Sequence, residues 1–505
     1  MWNPTLSRSG AALVLGPLLL VACSPKGAAQ QAPDAGPAPF FSDAFRFECA
    51  EDRDVGCAGV FPVREPSGDR PVQLAVLDAG DALRSRLELI ERATTSIRIQ
   101  ALIFRGDDVG LTISDALKRR KQQGVDVRVI VDALSNLDRR TQWMYFDLKQ
   151  HGVEVEGYET LYLNWIAADW SVKDPLRGNK RFHEKLWVVD AEVPERAEAI
   201  IGGMNIANEY FRIAKEPLAR WRDQDVALRG RVVDDVAASF DRNYEYLKGL
   251  KERLPAIFDP DNSWKLTRAV LDEVAHLRTP KWRDAALTAQ IELLVKEPSR
   301  RVFAPVRARF LQSRPRVRET YITQTYLHWI ESAKRSIDIW NAYFVPSRQM
   351  VAALNAAAER GVRVRILTNS PESNDVTPVA TLSRHVYWSL LARDDGSARP
   401  NIEVHEWIGP GKDEGTLHAK HAVFDDDVAL VGSYNLDPRS DRLNSESAVA
   451  VQSAEIVARL RSELEAHDLA KTRRVSLEEA RSYRSPPELA ERFELLFSLP
   501  LKGWL

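Results

Sequence analysis

The sequence predicts an α/β fold of two homologous lobes, each a mixed and mostly parallel sheet flanked by helices. The prediction depends on an internal repeat and on the order of elements within each copy. Residues 91–133 and 331–370 both read as the end of a helix, a strand, a loop, a helix, a glycine and a strand. The strands "SIRIQALIF" and "VDVRVIVDA" of the first copy match "SIDIWNAYF" and "VRVRILTN" of the second. Strands that alternate with helices form βαβ units, which favour parallel pairing.

Length and composition are those of a globular protein. The chain has 505 residues, enough for two or three domains or for one large duplicated one. Hydrophobic residues make up 44% and charged residues 28% of the chain. The formal net charge is −2, so the overall charge does not point to a polyanion, and we expect no nucleic-acid partner.

The first residues resemble an export signal. Arg8 is followed by an apolar run that ends at Cys23, and at roughly 14 residues this run is too short to span a bilayer but suits a signal peptide. One interpretation is a plain secretory signal cleaved near Ala22. We favour a lipoprotein, because "LVAC" at residues 20–23 resembles the bacterial lipobox, in which the cysteine is lipidated. The expected location is the bacterial cell envelope, lipid-anchored at the outer membrane or the periplasmic face.

The remaining chain divides by composition and repeat. The expected segments are a signal peptide at 1–22, a flexible tether at 23–45, an N-terminal extension at 46–70, a first lobe at 71–250, a helical connector at 251–315, a second lobe at 316–470 and a C-terminal helical tail at 471–505. In an exported chain Cys49 and Cys57 could form a disulfide, with two free thiols as the alternative.

Each lobe carries a His-x-Lys-x₄-Asp pattern. The first motif is His183, Lys185 and Asp190, and the second motif is His418, Lys420 and Asp425. On a strand, residues two apart lie on one face, so each His and Lys can project together. The motif groups each Asp with the catalytic residues. An offset of seven residues from the His, however, places the Asp on the opposite face of the strand. We therefore expect them to be structural hydrogen-bond acceptors rather than catalytic bases.

A glycine turn and an asparagine follow each motif. Gly202-Gly203 and Gly432-Ser433 allow the backbone to approach a ligand, and Asn205 and Asn435 can donate amide hydrogens. Two imidazoles, two ammonium groups and two amides suit a phosphodiester. One imidazole can attack phosphorus while the other protonates the departing alkoxide and later deprotonates an alcohol or water. The lysines would stabilise charge on the equatorial oxygens.

Three other interpretations are weaker. A single strand His is usually a core residue, but two copies with the same spacing are not explained in that way. A zinc site would place a repelling lysine beside each His and has no cysteine in the lobes. A decayed repeat would have lost some of the groups that both copies keep. We therefore expect no metal and no cofactor.

The two motifs resemble the tandem HKD motifs of the phospholipase D superfamily. "GGMNIANEYF", "WRDQDVALRG" and "ASFDR" in the first lobe, and "LTNSPESNDV", "LVGSYNLDPRS" and "LNSESAVAV" in the second, resemble its bacterial cardiolipin synthase branch. The resemblance covers most of residues 75–470. It implies two phospholipase D-like lobes with the active site at their pseudo-twofold interface, and a phosphohistidine intermediate formed without a metal. It also implies that His183 is the nucleophile and His418 the general acid.

The resemblance further implies that an acid from the opposite lobe orients each His. Asp223 and Glu446 match those positions, with Asp225 as a possible substitute. Ser433, Asn205 and Asn435 are expected to bind the substrate phosphate. The first motif departs from the second in two ways. Gly203 stands where the second motif has Ser433, which removes one hydroxyl donor. Residues 191–201 outnumber the six residues of the second motif, so they should lengthen a turn and could shift Asn205.

The substrate is less constrained by the sequence. Aromatic residues before the first motif (Tyr158, Tyr162, Trp165 and Trp170) and the C-terminal "ELLFSLPLKGWL" either pack against the lobes or face lipid. The favoured function is a cardiolipin synthase-like phosphatidyltransferase acting on membrane glycerophospholipids. The alternatives are a phospholipase D hydrolase of the same mechanism, a secreted phosphodiesterase or nuclease, and a non-enzymatic lipid-binding repeat. Export, a lipid anchor and a slightly acidic chain favour lipid over nucleic acid.

Overall fold

The computed structural model describes residues 61–132, 134–158, 181–216, 219–252, 282–315, 319–408 and 415–486, with Leu495 and Ser498. The predicted signal peptide, Cys23, the tether and the Cys49–Cys57 disulfide lie outside the described residues. So do the aromatic side chains before the first motif, part of the connector and most of the C-terminal apolar segment. Within the described ranges, no helix combines the length and the hydropathy that a membrane crossing requires.

The first lobe is an eight-stranded sheet with helices. Its strands are β1 (Gln73–Leu77), β2 (Ser96–Ala101), β3 (Asp126–Asp132), β4 (Glu154–Tyr158), β5 (Leu186–Val189), β6 (Glu198–Gly202), β7 (Asp225–Arg229) and β8 (Ala304–Pro305). Its helices are α1 (Ala79–Arg92), α2 (Asp108–Gln122), α3 (Arg139–Gln150), α4 (Val232–Glu252) and α5 (Ala285–Val295). The strand order is β4-β3-β2-β5-β6-β7-β1-β8.

The second lobe repeats this arrangement. Its strands are β9 (Arg307–Ser313), β10 (Ser336–Asn341), β11 (Arg363–Asn369), β12 (Ile402–Trp407), β13 (Lys420–Phe424), β14 (Val428–Gly432), β15 (Glu446–Gln452) and β16 (Thr472–Arg474). Its helices are α6 (Tyr321–Ser332), α7 (Arg348–Glu359), α8 (Thr377–Leu391), α9 (Pro438–Arg442), α10 (Ala454–Glu463) and α11 (Leu477–Arg484). The order β16-β12-β11-β10-β13-β14-β15-β9 matches the first sheet over seven strands, from β12 to β9, which confirms the prediction of two homologous mixed α/β lobes.

The expectation that the sheets are mostly parallel is wrong. The parallel pairs are β2–β3 and β3–β4 in the first sheet, and β10–β11 and β11–β12 in the second. The other neighbouring strands described are antiparallel. The βαβ units in the sequence predict the parallel pairs correctly. The motif strands, however, are joined by turns too short for a crossover, and a short turn permits only antiparallel pairing.

Two predicted helical segments contain strands. Residues 304–313 of the expected connector form β8 and β9, and β9 pairs along the full length of β15 from the register Arg307–Gln452 to Ser313–Glu446. Within the expected tail, β16 extends the second sheet by pairing with β12. The second sheet therefore extends on both sides of the predicted lobe, 316–470. The apolar residues within "RARFLQS" are those of a buried strand. The many charged residues around this segment led to the prediction of a helix.

The two sheets pack face to face through an apolar core. Leu186 and Val188 of β5 and Ile201 of β6 belong to the same buried cluster as Val431 and Val449 of the second lobe. Trp187, between Leu186 and Val188, belongs to the cluster that includes buried residues of α1 and α2. Because side chains alternate along a strand, each motif strand is apolar on both faces. The packing holds the two motifs together, and the described residues of both lobes belong to one compact unit.

Candidate active site

The first motif lies just before β5 and is bonded to the second lobe. His183 is 6% and Lys185 is 1% exposed. The backbone N–H of His183 donates to the carbonyl of Ser445 at 2.9 Å, and the N–H of Ser445 donates to the carbonyl of Arg181 at 2.8 Å. Glu446 follows Ser445, so this bridge brings its carboxylate to the imidazole. Nδ1 of His183 is 2.9 Å from Oε2 of Glu446.

The second motif is bonded to the first lobe in the same way. The N–H of Arg222 donates to Thr416 at 2.8 Å, and the N–H of His418 donates to Arg222 at 2.7 Å. Asp223 therefore reaches the second imidazole, with 2.6 Å between its Oδ2 and Nδ1 of His418. Each His thus meets an acid of the other lobe, which is the pairing that the resemblance implies. Asp225, the possible substitute, instead pairs with buried Arg86 at 2.5 Å.

Both lysines are buried beside their histidines. Nζ of Lys185 donates to the carbonyl of His183 at 2.7 Å, and Nζ of Lys420 donates to the carbonyl of His418. Burial lowers the pKa of Lys185 to about 7 and that of Lys420 to about 8. The ammonium group of Lys420 also lowers the pKa of Lys185, and both ammonium groups lower the pKa of His418. A bound anion would relieve this repulsion, so the site is suited to a phosphate.

The two imidazoles are neutral in the free site. Burial lowers the pKa of His183 to about 4, against the opposing effect of Glu446. Burial also holds the pKa of His418 well below its ordinary value, and the nearby lysines act in the same direction. In each case a carboxylate faces Nδ1, and Nζ of Lys420 also lies 2.9 Å from Nδ1 of His418. The carboxylate favours the proton on Nδ1, which leaves the lone pair of Nε2 for chemistry.

Glu446 is held by several donors. Its Oε2 accepts the Ser433 hydroxyl at 2.5 Å as well as bonding His183. Its Oε1 accepts the Ser440 hydroxyl at 2.7 Å and the Asn444 amide at 3.4 Å. Burial acts to raise the pKa of Glu446, but His183 and these donors lower it overall. Sequence reasoning missed Ser440 and Asn444, although Asn444 lies in the quoted "LNSE".

Asp223 has fewer donors and a different ionisation. Besides the imidazole, its Oδ1 accepts the backbone N–H of Gln224 at 2.7 Å. Burial raises the pKa of Asp223 to about 6, although Lys420 acts to lower it. The two histidines therefore face acids of different strength. Glu446 stays ionised, whereas Asp223 can take up a proton only slightly below neutral pH.

The first motif has Gly203 where the second has Ser433, and this difference reflects the different surroundings of Asp223 and Glu446. Ser433 was expected to bind the substrate phosphate, but its single hydroxyl hydrogen is donated to Glu446, and its oxygen accepts the N–H of Ser447 at 3.0 Å. It therefore positions Glu446 instead. At the equivalent Gly203, an added Cβ would lie 2.1 Å from Oδ1 of Asp223. Glycine is required there because Asp223 approaches the backbone too closely for any side chain.

The two asparagines lie in the site but differ in their bonding. Asn205 accepts the N–H of Ile103 at 3.1 Å and donates to the hydroxyl of Tyr210 at 2.8 Å, which leaves one amide hydrogen. Asn435 is 2% exposed, and its Oδ1 has no hydrogen-bond partner among the described residues. Phosphate binding by these two amides remains a prediction.

The motif aspartates lie at the far end of their strands. Asp190 and Asp425 both adopt positive φ, 52° and 49°. Asp190 accepts the N–H groups of Thr94 and Thr95, each at 2.8 Å, and Asp425 accepts that of Arg335 at 2.7 Å. Each Asp lies five positions beyond its Lys along extended chain, about 16 Å away. Their grouping with the catalytic residues is therefore corrected: they fasten the start of β2 and β10 to the motif hairpin, as the odd offset predicts.

The longer turn of the first motif does not disturb the site. Leu186 lies opposite Ile201 in β5–β6, and the equivalent His421 lies opposite Val431 in β13–β14. The register is the same at the end of the hairpin that carries the glycines. Residues 191–197 lengthen the turn at the other end, so Asn205 is not shifted.

Aromatic rings that sequence reasoning did not select surround His418. The ring centroids of Tyr210, Trp221 and Tyr343 lie 5.0, 5.3 and 6.4 Å from that of the imidazole. The Tyr343 hydroxyl donates to both oxygens of Asp375 at 2.8 Å. Tyr210 and Asp375 fall within the segments "GGMNIANEYF" and "LTNSPESNDV", but nothing in their local pattern distinguishes them. Across the described residues, no group of three or more potential ligands is placed to hold a metal ion.

Comparison with known proteins agrees with this geometry. The family model described as "Cardiolipin synthase, PLD-like domain" matches residues 87–244 and 326–467. Cardiolipin synthase C of Escherichia coli (strain K12) is 29% identical over 397 residues, covering 74% of this chain and 80% of that protein. The major cardiolipin synthase ClsA of Bacillus subtilis (strain 168) is 27% identical over 406 residues, covering 80% and 70%.

A solved structure shares the fold. Phosphatidylserine synthase of Haemophilus influenzae superposes with a TM-score of 0.59 at 18% identity, covering 89% of this chain and 98% of that one. Because the family model matches more than half of the chain and the structure has the same architecture, both lobes are PLD-like. The chain belongs to the cardiolipin synthase family with a PLD-like domain and is an enzyme of the phospholipase D type.

Proposed function

We propose that the protein is a cardiolipin synthase-like phosphatidyltransferase that acts on membrane glycerophospholipids through a phosphohistidine. The observation that carries the proposal is the pair of histidines, each held by an acid of the other lobe, with a buried lysine beside each. The names of the relatives support a glycerophospholipid substrate. We also propose that the two motifs act together as the paired HKD motifs of the phospholipase D superfamily.

In the first half-reaction, Nε2 of His183 forms a bond to phosphorus, and the bond from phosphorus to the headgroup oxygen breaks. His418 donates the Nε2 proton to the departing alkoxide. A neutral His418 must first be protonated. The anionic phosphodiester raises its pKa on binding, because it brings negative charge beside a buried imidazole. The two lysines stabilise the equatorial oxygens.

In the second half-reaction, His418 takes a proton from the acceptor hydroxyl. The acceptor oxygen bonds to phosphorus as the bond to Nε2 of His183 breaks, and neutral His183 is restored. If the acceptor is a glycerophospholipid hydroxyl, the product is a diphosphatidyl lipid. If it is water, the product is phosphatidic acid, and the enzyme is a hydrolase of the same mechanism.

The two acids support these roles for the histidines. An ionised Glu446 stabilises positive charge on the imidazole of His183 as it becomes phosphorylated. Asp223, with a pKa raised to about 6, suits a residue that gains and loses a proton beside His418. Incubation with phosphatidylglycerol and mass spectrometry of the lipids tests the reaction. We expect cardiolipin with release of glycerol; phosphatidic acid alone would contradict transfer.

Substitution of each His tests the roles separately. Both His183→Ala and His418→Ala should abolish turnover of natural lipid, since acid catalysis contributes about 10²–10⁴-fold. With a p-nitrophenyl phosphodiester, whose leaving group needs no proton, His418→Ala should still give a burst of nitrophenol and trap phosphohistidine. His183→Ala should give no burst. The opposite pattern would reverse the two roles.

We also propose that the mature protein is exported and anchored through a lipidated Cys23. The lipobox-like "LVAC" and the polar tether after it support this location. Cys23→Ser should release the protein from the membrane fraction or leave it unprocessed, while Cys49→Ser serves as the matched control. Unchanged mass and membrane association in Cys23→Ser would contradict the anchor.

A further inference from the structure

The proposed mechanism places the alcohol on one side of the site. Because His418 gives a proton to the leaving alcohol and takes one from the acceptor, both alcohols must occupy the same position against its Nε2. His183 attacks phosphorus from the opposite side. Groups that lie beside His418 can therefore contact the headgroup, and their chemistry selects which alcohols react.

Asp375 lies on this side of the site. The Tyr343 ring is 6.4 Å from that of His418, and Nζ of Lys420 is 6.0 Å from the Tyr343 centroid. The Tyr343 hydroxyl donates to Asp375, which is an exposed residue and whose charge acts on Lys420. Tyrosine thus places a carboxylate at the edge of a cationic site. Burial raises the pKa of Asp375, and the Tyr343 hydroxyl and Lys420 oppose this effect by stabilising its negative charge.

The loop that carries Asp375 is fixed relative to His418. Asn369, at the end of β11, accepts the N–H of Leu417 at 2.9 Å and donates to the Leu417 carbonyl at 2.7 Å. The Thr416 hydroxyl donates to the Ser373 carbonyl at 2.9 Å. The loop is therefore bonded to the two residues that precede His418, and the position of its carboxylate follows that of the imidazole.

At the end of the corresponding strand, the first lobe has an acid that lies among guanidinium groups. Strand β3 ends at Asp132, which pairs with Arg181 at 3.4 Å, two residues before His183. Arg439 is close enough to act electrostatically on both Asp132 and Arg181. On the side of His183 the carboxylate is thus paired with a guanidinium group, whereas on the side of His418 the carboxylate of Asp375 accepts from the neutral hydroxyl of Tyr343.

We infer that Asp375, positioned by Tyr343, selects the alcohol in both half-reactions, and the inference rests on the proposed function. The carboxylate accepts a hydrogen bond from a second hydroxyl of the alcohol, as glycerol provides. It repels the dianionic phosphate monoester of glycerol 3-phosphate more strongly than the monoanionic phosphodiester of phosphatidylglycerol, because the repulsion grows with charge. Hydrogen bonds to a charged acceptor are stronger than neutral ones, so the substrate class is an uncharged polyol end group.

The experiment compares acceptors on one phosphoenzyme. Full-length protein is given a short-chain phosphatidyl-p-nitrophenol together with glycerol, glycerol 3-phosphate or both, and products are quantified by mass spectrometry. The nitrophenol burst reports phosphohistidine formation and serves as the reference. In the wild type, glycerol should be strongly preferred. Asp375→Asn should lower the preference for glycerol over glycerol 3-phosphate at least tenfold, Tyr343→Phe should lower it less, and Asp375→Glu should restore part of it.

Asp395→Asn is the matched control, because it removes an exposed carboxylate from another loop of the same lobe. Its acceptor preference should equal that of the wild type. A burst with an unchanged preference in Asp375→Asn would overturn the inference and leave the proposed function intact. An equal change in Asp395→Asn would also overturn it, as a long-range effect of net charge. No burst in the wild type would contradict the proposed function itself.

Discussion

Asparagine at position 223 should impair the enzyme far more than glutamine at position 446, although each change removes one carboxylate that orients a His. The reason is the set of donors around each acid. Oδ1 of Asp223 accepts the N–H of Gln224, a backbone group that can only donate a hydrogen bond. An asparagine must keep its oxygen there, so its NH₂ group faces Nδ1 of His418. Nδ1 must then accept, the proton moves to Nε2, and His418 cannot act as a base.

Glutamine at 446 avoids this conflict. Its oxygen can stay against His183 and Ser433, while its NH₂ group faces the Ser440 hydroxyl, which can rotate to accept. The tautomer of His183 is preserved. The negative charge is lost, together with the weak 3.4 Å bond from the Asn444 amide, whose NH₂ group would face that of the glutamine. Loss of such an orienting partner typically costs about 10–100-fold, whereas a wrong tautomer in a His–Asp pair costs about 10⁴-fold. The expected difference is therefore about 100–1,000-fold, or about 2.7–4.1 kcal/mol in activation free energy.

The assay is kcat/KM for cardiolipin formation from phosphatidylglycerol, with thermal unfolding to verify that each variant is folded. Asp426→Asn is the control, because Asp426 is a 54% exposed acid of the second motif turn, paired with Arg335. The p-nitrophenyl substrate separates the two steps: Asp223→Asn should keep the nitrophenol burst, and Glu446→Gln should slow it. Equal losses in the two variants, or a greater loss in Glu446→Gln, would refute the tautomer argument.

Three further predictions test other parts of the site. Gly203→Ser should reduce activity more than 100-fold, because its Cβ would lie 2.1 Å from Asp223, whereas the reciprocal Ser433→Gly should lose only about tenfold in kcat; equal tolerance of the two changes would contradict the close approach. Since the pKa values of Lys185 and Lys420 are lowered to about 7 and 8, kcat/KM should fall above about pH 7, and more steeply above about pH 8, as the two ammonium charges are lost, and a plateau to pH 10 would contradict that cause. Turnover should survive EDTA, because the lysines and imidazoles supply the charge stabilisation; loss of activity that zinc alone restores would contradict it.

Some features are readable from the sequence because they depend on residues close together in the chain. The βαβ periodicity predicts the parallel strands of each lobe, and the two-residue spacing predicts that His183 and Lys185 project together. The seven-residue offset predicts that Asp190 bonds elsewhere. Features that depend on pairing across the chain are missed by local patterns. The strands β8, β9 and β16 are examples, since their partners lie far away in the sequence.

The sequence by itself determined the duplicated α/β architecture and the chemistry of the paired motifs, because repeat, periodicity and residue type are local properties. Only the tertiary structure decided what each polar group bonds to. It assigns Ser433 to Glu446 rather than to a phosphate, explains Gly203 by the approach of Asp223, and bonds Asp375 to Tyr343, whose ring lies 6.4 Å from that of His418. These contacts join segments brought together by sheet packing and by the bridges between the lobes. Their geometry and their pKa values exist only in the folded chain.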